Sequence, residues 1–343
     1  MAGFVRGVLK RLQRSRVFGP ILTFGKRHVY RHYRSSQLVD TAFPAKVWIE
    51  NTNHCNAKCA MCPRETHDRK QGIMDFSLFE KIVSETARHA AAVERVHLHN
   101  FGEPLVDKRL VDRIRFAKES GIRHVYFVTN GALLNDGVAK GIIEAGLDEM
   151  KISFYGTDRD TYNKTMVGLD FEKTLANVRR FFEIRGELGR RNPKVVVQYL
   201  PQETNRSRVK EFEALVAPLL DPSRGDSFYI FELHNYGGGR DYVKLGAFTR
   251  ICPFPWSTIV ILHDGRVVMC SPDYNGLNVV GDVREQTIAE VWNGERYRRA
   301  RAAFRRLDYR DYPACAECTV VRDYLSESLG RFVVPDPPSA GRA

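Results

Sequence analysis

From residue 46 to about 235, strand-length apolar runs alternate with helix-length segments, which restricts the chain to few folds. The runs are Val47–Glu50, Val96–Asn100, Val125–Thr129, Met150–Phe154, Val195–Leu200 and Phe228–Leu233. Between them lie Phe76–Ala92, Arg109–Ser120, Asp136–Ala145, Phe171–Leu188 and Ser207–Leu220, each long enough for a helix. Such alternation predicts βαβ units and a parallel sheet. Six units are too few for a closed eight-stranded barrel but enough for an open, partial one. Parallel α/β folds build their sites at the carboxyl ends of the strands. Cys55, Gly102-Glu103-Pro104 and Asn130-Gly131 follow the first three runs, so all are expected on that rim.

All seven cysteines fall into two groups. Cys55, Cys59 and Cys62 form a CxxxCxxC loop, short enough to wrap three sulfurs around one centre and leave one position open. Cys252, Cys270, Cys315 and Cys318 form a four-thiolate set ending in CxxC, enough to close a tetrahedral site. From these residues alone two metals remain open. Thiolates hold iron–sulfur clusters, and they also hold zinc, in the first loop with a distant fourth ligand such as His54 or His67 and in the second as a Cys₄ ribbon.

The segment 46–235 resembles the radical S-adenosylmethionine (SAM) superfamily. The resemblance rests on the CxxxCxxC after the first strand, on Gly102-Glu103-Pro104, which looks like the family's GEP element, and on Ser153 at the end of the fourth strand. It implies a partial (β/α)6 barrel and a [4Fe–4S] cluster on Cys55, Cys59 and Cys62. SAM would chelate the open iron and be cleaved to a 5′-deoxyadenosyl radical that takes a hydrogen atom from substrate. An external one-electron donor of flavodoxin or ferredoxin type is implied as well. Gly102 would allow close backbone approach, and Glu103 would accept hydrogen bonds from the methionyl ammonium. Ser153 and Gln198 would bond the ribose or carboxylate. The family usually places an aromatic residue before the third cysteine; here Met61 stands there, flexible enough to pack on adenine.

The second cysteine set resembles the twitch domain, a short relative of the SPASM domain, which carries one auxiliary [4Fe–4S] cluster. The match includes the hairpin at Asp264-Gly265, Gly281-Asp282-Val283, a helix over Ile288–Phe304 and Cys315-Ala316-Glu317-Cys318. The cysteine gaps of 18, 45 and 3 residues are similar to those of 2-deoxy-scyllo-inosamine dehydrogenases, which oxidise an aminocyclitol. A full SPASM domain needs further cysteines, and an epimerase needs a thiol to return hydrogen; no cysteine is spare for either. Two-electron oxidation of a small polar substrate at an alcohol carbon is therefore the leading expectation, with the closed cluster taking the second electron. A nucleoside-sugar decarboxylase or a peptide maturase could use the same cofactor. The 45 residues before the first strand are shorter than the leader-binding module such maturases carry. For the substrate, His97 and His99 share one strand face, and Glu232, His234, Tyr236 and Arg240 stand where the last strand meets the auxiliary segment.

These features divide the chain into a basic extension 1–45, a radical SAM core 46–240, an auxiliary α+β segment 250–320 and a Pro-rich disordered tail 331–343, with a breaker at Gly237-Gly238-Gly239. The odd cysteine number argues against a disulfide-bonded secreted scaffold and for a reducing cytoplasm. Of the net charge of +12, nine units come from residues 1–36, which hold nine Lys or Arg and no acid, leaving 12 − 9 = +3 elsewhere. That arm reads either as a helix packed on the main domain or as a membrane-surface contact, with Phe4, Val5, Val8, Leu9 and Leu12 at helical spacing. A non-catalytic metal protein using the arm on RNA is the reading from another class; no nucleic-acid partner is expected. Arginines 296–306 are expected to be a solvated helix face.

Overall fold

The computed structural model describes residues 38–202, 205–231, 235–236, 244–248 and 250–325. The basic arm, the Pro-rich tail, the glycine breaker and Glu232, His234 and Arg240 lie outside the described residues. Among those described, no helix is long and apolar enough to cross a membrane.

The core runs β1 (Lys46–Ile49), α1 (Phe76–Arg88), β2 (Arg95–His97), α2 (Leu110–Glu119), β3 (Val125–Thr129), α3 (Asp136–Glu144) and β4 (Glu149–Ser153). It continues through α4 (Arg159–Thr165), α5 (Phe171–Glu187), β5 (Lys194–Tyr199), α6 (Val209–Val216) and β6 (Ser227–Ile230). Strands β1 to β6 pair side by side, all parallel and in chain order. This is the partial (β/α)6 barrel expected. One face of β1 to β5 is apolar and buried, as with Val47, Val96, Phe127, Ile152 and Val197, while Phe228 and Ile230 of β6 are half-buried. The alternate positions carry polar side chains, so the strands are not apolar on both faces as parallel strands usually are.

Helix starts follow the sequence because short polar side chains cap them. Asp75, Asn135, Asp158 and Asp170 each accept a hydrogen bond from a first-turn amide of α1, α3, α4 and α5. Helix α4 lies outside the helix-length segments of the sequence, and the Asp158 side chain caps its start.

The auxiliary segment is not a separate sheet. Strand β8 (Thr258–Ile261) pairs parallel with β1, and β9 (Arg266–Val268) and β10 (Val279–Asp282) follow antiparallel, extending the barrel sheet to nine strands. The expected hairpin is present, with Gly265 at φ +92° in its turn. Strand β7 (Lys244–Phe248) pairs antiparallel with β11 (Arg322–Leu325). The single helix expected over Ile288–Phe304 is instead two, α7 (Ile288–Trp292) and α8 (Glu295–Arg305), before a short α9 (Pro313–Ala316). A capping box between Thr287 and Glu290 starts α7, and Gly294, extended at φ −69°, ψ 164°, separates the two.

Candidate active site

The cysteine loop leaves the carboxyl end of β1 and is gripped from outside. Lys58 N donates to Val167 O at 2.8 Å and Ala60 N to Thr165 O at 3.0 Å, so the segment after α4 serves as its backing strip. The Met166 sulfur lies 3.6 Å from Cys59 Sγ, Arg64 Nη2 donates to Ala57 O at 3.1 Å, and Asn130 Nδ2 donates to Asn56 Oδ1 at 2.8 Å. Asn130-Gly131, read from sequence as a turn, thus also holds the loop. The three thiols form no disulfide. Burial pushes Cys55 up to about 11, helped by the nearby Glu103 charge, and Cys59 higher still, helped by Cys62 and Cys55. A metal centre binding here must therefore displace protons.

The GEP segment comes against the same loop at backbone distance. A Cβ on Gly102 would lie 2.2 Å from Thr52 O, and Glu103 N donates to His54 O at 2.8 Å. The buried Glu103 carboxylate accepts from Thr129 Oγ1 at 2.6 Å, Asn130 N at 2.7 Å and Leu105 N at 3.1 Å. Burial outweighs these bonds and raises its pKa to about 7. Pro104 opens a short 3₁₀ turn at Pro104–Val106 with Glu103 as its cap. Ser153 and Gln198 are register partners across β4 and β5. They meet on Tyr155, which sequence reasoning missed: its hydroxyl donates to Ser153 Oγ at 3.0 Å and accepts from Gln198 Nε2 at 3.1 Å. Tyr155 also senses the charges of Cys59 and Cys62, which places this pair near the loop. Met61, in contrast, is 3% exposed and belongs to the apolar core, leaving little of it to face a ligand.

A strap after the cysteine loop ties it to the auxiliary segment. Arg69 Nη1 and Nη2 donate to Glu50 at 2.6 and 2.7 Å, and its Nε donates to Tyr274 O at 3.0 Å. Glu50, 0% exposed, also accepts from His263 N at 3.2 Å and Asn100 Nδ2 at 3.2 Å, and faces His263 Nδ1 at 3.3 Å. Burial alone would raise the Glu50 pKa; Arg69 and His263 hold it at about 2.

Cys252, Cys315 and Cys318 are buried and Cys270 nearly so, and the charges of the other three act on Cys270. Burial lifts Cys252 to about 12 and takes Cys270 and Cys315 higher. Two N–H groups already point at sulfur: Asn278 Nδ2 at 3.4 Å from Cys315 Sγ and Val320 N at 3.4 Å from Cys318 Sγ. Such donors stabilise sulfur carrying negative charge and tune a cluster's potential. The Arg-rich helix face departs from expectation at Arg301, which is 5% exposed, donates to Pro255 O at 2.8 Å and lies over Trp292. Of the residues expected near substrate, Tyr236 meets the Phe101 ring edge-on at 5.8 Å, and His97 and His99 lie on the inner sheet face.

The donor sets fit iron–sulfur clusters: three grouped thiols with one position open, and four buried thiols with none. Among the described residues, no three His, Cys, Asp or Glu side chains gather as tightly as one metal ion requires.

Comparisons with known proteins agree. The radical SAM superfamily matches residues 49–195, and the iron–sulfur cluster-binding SPASM domain matches residues 252–319. The "Tungsten-containing aldehyde ferredoxin oxidoreductase cofactor-modifying protein" of Pyrococcus furiosus is 26% identical over 321 residues, 80% of this chain and 87% of that protein. A "Probable GTP 3′,8-cyclase" of Saccharolobus islandicus is 28% identical over 196 residues, 56% of this chain and 58% of the other. Among solved structures, BtrN in complex with AdoMet and 2-DOIA superposes with a TM-score of 0.58 at 19% identity, covering 82% of this chain and 94% of BtrN. Streptococcus suis SuiB bound to precursor peptide SuiA gives 0.62 at 12% identity, covering 79% and 70%. At those identities the two structures speak for the fold alone. Residues 49–195 form a radical SAM domain and residues 252–319 a SPASM-type iron–sulfur domain, which imply SAM, a SAM-binding [4Fe–4S] cluster and auxiliary iron–sulfur as cofactors.

Proposed function

We propose that this radical SAM enzyme is an oxidoreductase that dehydrogenates an alcohol carbon in a small polar molecule of the aminocyclitol or sugar kind. One observation carries the reading. Every cysteine belongs to one of the two sets, and three of the four in the auxiliary set are buried with Cys270 partly so, leaving no thiol to return a hydrogen atom. When loaded, the centre on Cys55, Cys59 and Cys62 with SAM supplies a hydrogen-abstracting radical, and the centre on Cys252, Cys270, Cys315 and Cys318 supplies an electron acceptor. The chain's own residues position the parts. Glu103 is the counter-charge for the methionyl ammonium, Gly102 and Pro104 set its loop, and Ser153 and Gln198 present the Tyr155 network to the ribose or carboxylate. Met61 backs the cysteine loop from the core. The reduced thiols suit the cytoplasm, and a flavodoxin or ferredoxin is the electron donor. The division into a core over 46–240 and an auxiliary segment over 250–320 follows from these roles.

A second reading, modification of another enzyme's cofactor, is favoured by the coverage of the Pyrococcus furiosus relative, whose name states that activity.

The test uses anaerobically reconstituted enzyme with polyol substrates. Wild type is expected to give one ketone per 5′-deoxyadenosine, and Cys318→Ala to cleave SAM without forming ketone. Recovered alcohol carrying solvent deuterium at the reacting carbon would point to epimerisation instead. A pH prediction follows from Glu103. With a pKa near 7 it is protonated, and useless as a counter-charge, below that value. SAM affinity is expected to fall up to tenfold per unit as pH drops from 7 towards 6. In Glu103→Gln the affinity is lower and flat with pH, read by equilibrium dialysis. The raised pKa also means that burial of the charged carboxylate costs stability as pH rises from about 4.5 through 7, a cost the bound ammonium offsets. Gly102→Ala forces the GEP loop off the Thr52 carbonyl, so it is expected to lose SAM binding while the barrel stays folded by circular dichroism.

A further inference from the structure

The inner face of the barrel sheet carries polar groups that the roles above do not use. Strand registers set Trp48 beside His97, His97 beside Tyr126, Tyr126 beside Glu149 and Glu149 beside Lys194, one ladder across five strands. One step towards the carboxyl rim, Lys151 stands between Val128 and Val196. His97 and His99 are 5% and 6% exposed, and both ring nitrogens of His97 and Nδ1 of His99 have no hydrogen-bond partner. Leaving a buried polar atom unpaired costs about 1–3 kcal/mol. All three atoms are sealed from solvent on the concave face of the barrel.

The rings are fixed. His97 stacks on Trp48 at 4.0 Å with 10° between planes, and both imidazoles meet Tyr126 edge-on, at 4.9 and 5.2 Å. Burial, with nearby cations, keeps both imidazoles neutral, so each offers one donor and one acceptor. Lys151 lies with Nζ 5.4 Å from the Tyr126 ring centre, and among the described residues no carboxylate comes within salt-bridge distance of it. Among the described residues the same face carries Lys46, Arg95 and Lys194, with Glu149 facing His124 at 3.6 Å and Glu50 taken up by Arg69. Ser153 is the next inward position on β4, about 6.6 Å further towards the rim at two residues' rise.

We propose that the barrel interior binds the substrate through an anionic group, a phosphate or carboxylate, seated on Lys151 beside His99. The proposal rests on the dehydrogenase reading for what happens to the guest, and on the lumen alone for what binds. An aminocyclitol without an acidic group would set its ammonium against Lys151, Arg95 and Lys194. Within the sugar-like class, the geometry therefore selects phosphorylated or carboxylated polyols.

The test is calorimetric titration of reconstituted enzyme with glucose 6-phosphate, gluconate, glucose and glucosamine at fixed ionic strength. The two anions are expected to bind at least tenfold more tightly than the other two, and the tighter of them tells phosphate from carboxylate. Lys151→Met should level the four while leaving SAM affinity unchanged, and Lys151→Arg should keep part of the preference. Removing an unpaired, half-buried ammonium does not threaten the fold, so Lys151→Met should melt no lower than wild type. Equal binding of all four probes in wild type overturns the proposal. So does an anion preference that survives Lys151→Met, or a loss of SAM affinity in its place. Anion preference in an enzyme that cleaves SAM but never forms ketone supports the anion site and counts against the dehydrogenase reading instead.

Discussion

Cys59→Ala is expected to abolish 5′-deoxyadenosine formation and to lower iron from about eight to about four atoms per chain, one four-iron cluster of two. Cys59 is the middle cysteine of the CxxxCxxC loop, and its sulfur is the one in contact with Met166. Two thiolates cannot keep a cluster that already lacks a fourth protein ligand. The fold should survive, because the loop is gripped through the backbone of Lys58 and Ala60, which the substitution leaves alone. Iron and sulfide analysis with chromatography of the SAM products decides it. Cleavage at the wild-type rate in this variant would remove the radical SAM site from the CxxxCxxC loop.

The second large effect concerns the strap. Arg69→Met is expected to destabilise the protein by about 3–5 kcal/mol, because it leaves the Glu50 carboxylate buried without its guanidinium. His263 and Asn100 remain at 3.2 Å or more and do not replace two short charged bonds. The double variant Glu50→Met, Arg69→Met should recover most of the loss, since apolar pairs of similar volume often replace buried ion pairs without cost. Denaturant unfolding measures both. The pH dependence has a definite sign. Glu50 is held at about 2, so its contribution is fully present above about 4.5 and is lost as pH falls from there through 2. Equal losses in the single and double variants would show that Glu50 and Arg69 are not coupled.

Much of the fold is legible in the sequence because local signals and tertiary demands coincide. Val125–Thr129 is a strand over the residues expected, and the capped starts of α1, α3 and α5 fall where Phe76, Asp136 and Phe171 suggested. Ends are less legible. Helix α1 stops at Arg88 rather than Ala92, where the following His89 ring stacks on Phe43 at 4.1 Å, a contact no local pattern encodes. The break at Gly294 is the reverse case, since a glycine inside a helix-length run is itself a local weak point in the pattern. In the site, cysteine spacing alone grouped the thiols, because ligands to one centre must be close in space. The Glu50–Arg69–His263 cluster joins residues up to 213 positions apart and left no trace in the sequence. Lys151 and Tyr155 were hidden for a related reason. A single lysine in an apolar run and a tyrosine after a strand acquire meaning only when the registers show what they face.

The central claim is the division between an open centre on three cysteines and a closed one on four. Electron paramagnetic resonance of reduced, anaerobically reconstituted enzyme, with and without SAM, tests it most directly. Wild type should show two overlapping [4Fe–4S]⁺ signals, Cys318→Ala should retain a signal that shifts on adding SAM, and Cys59→Ala should retain one that does not. A SAM-induced shift in the Cys59→Ala signal would contradict the division.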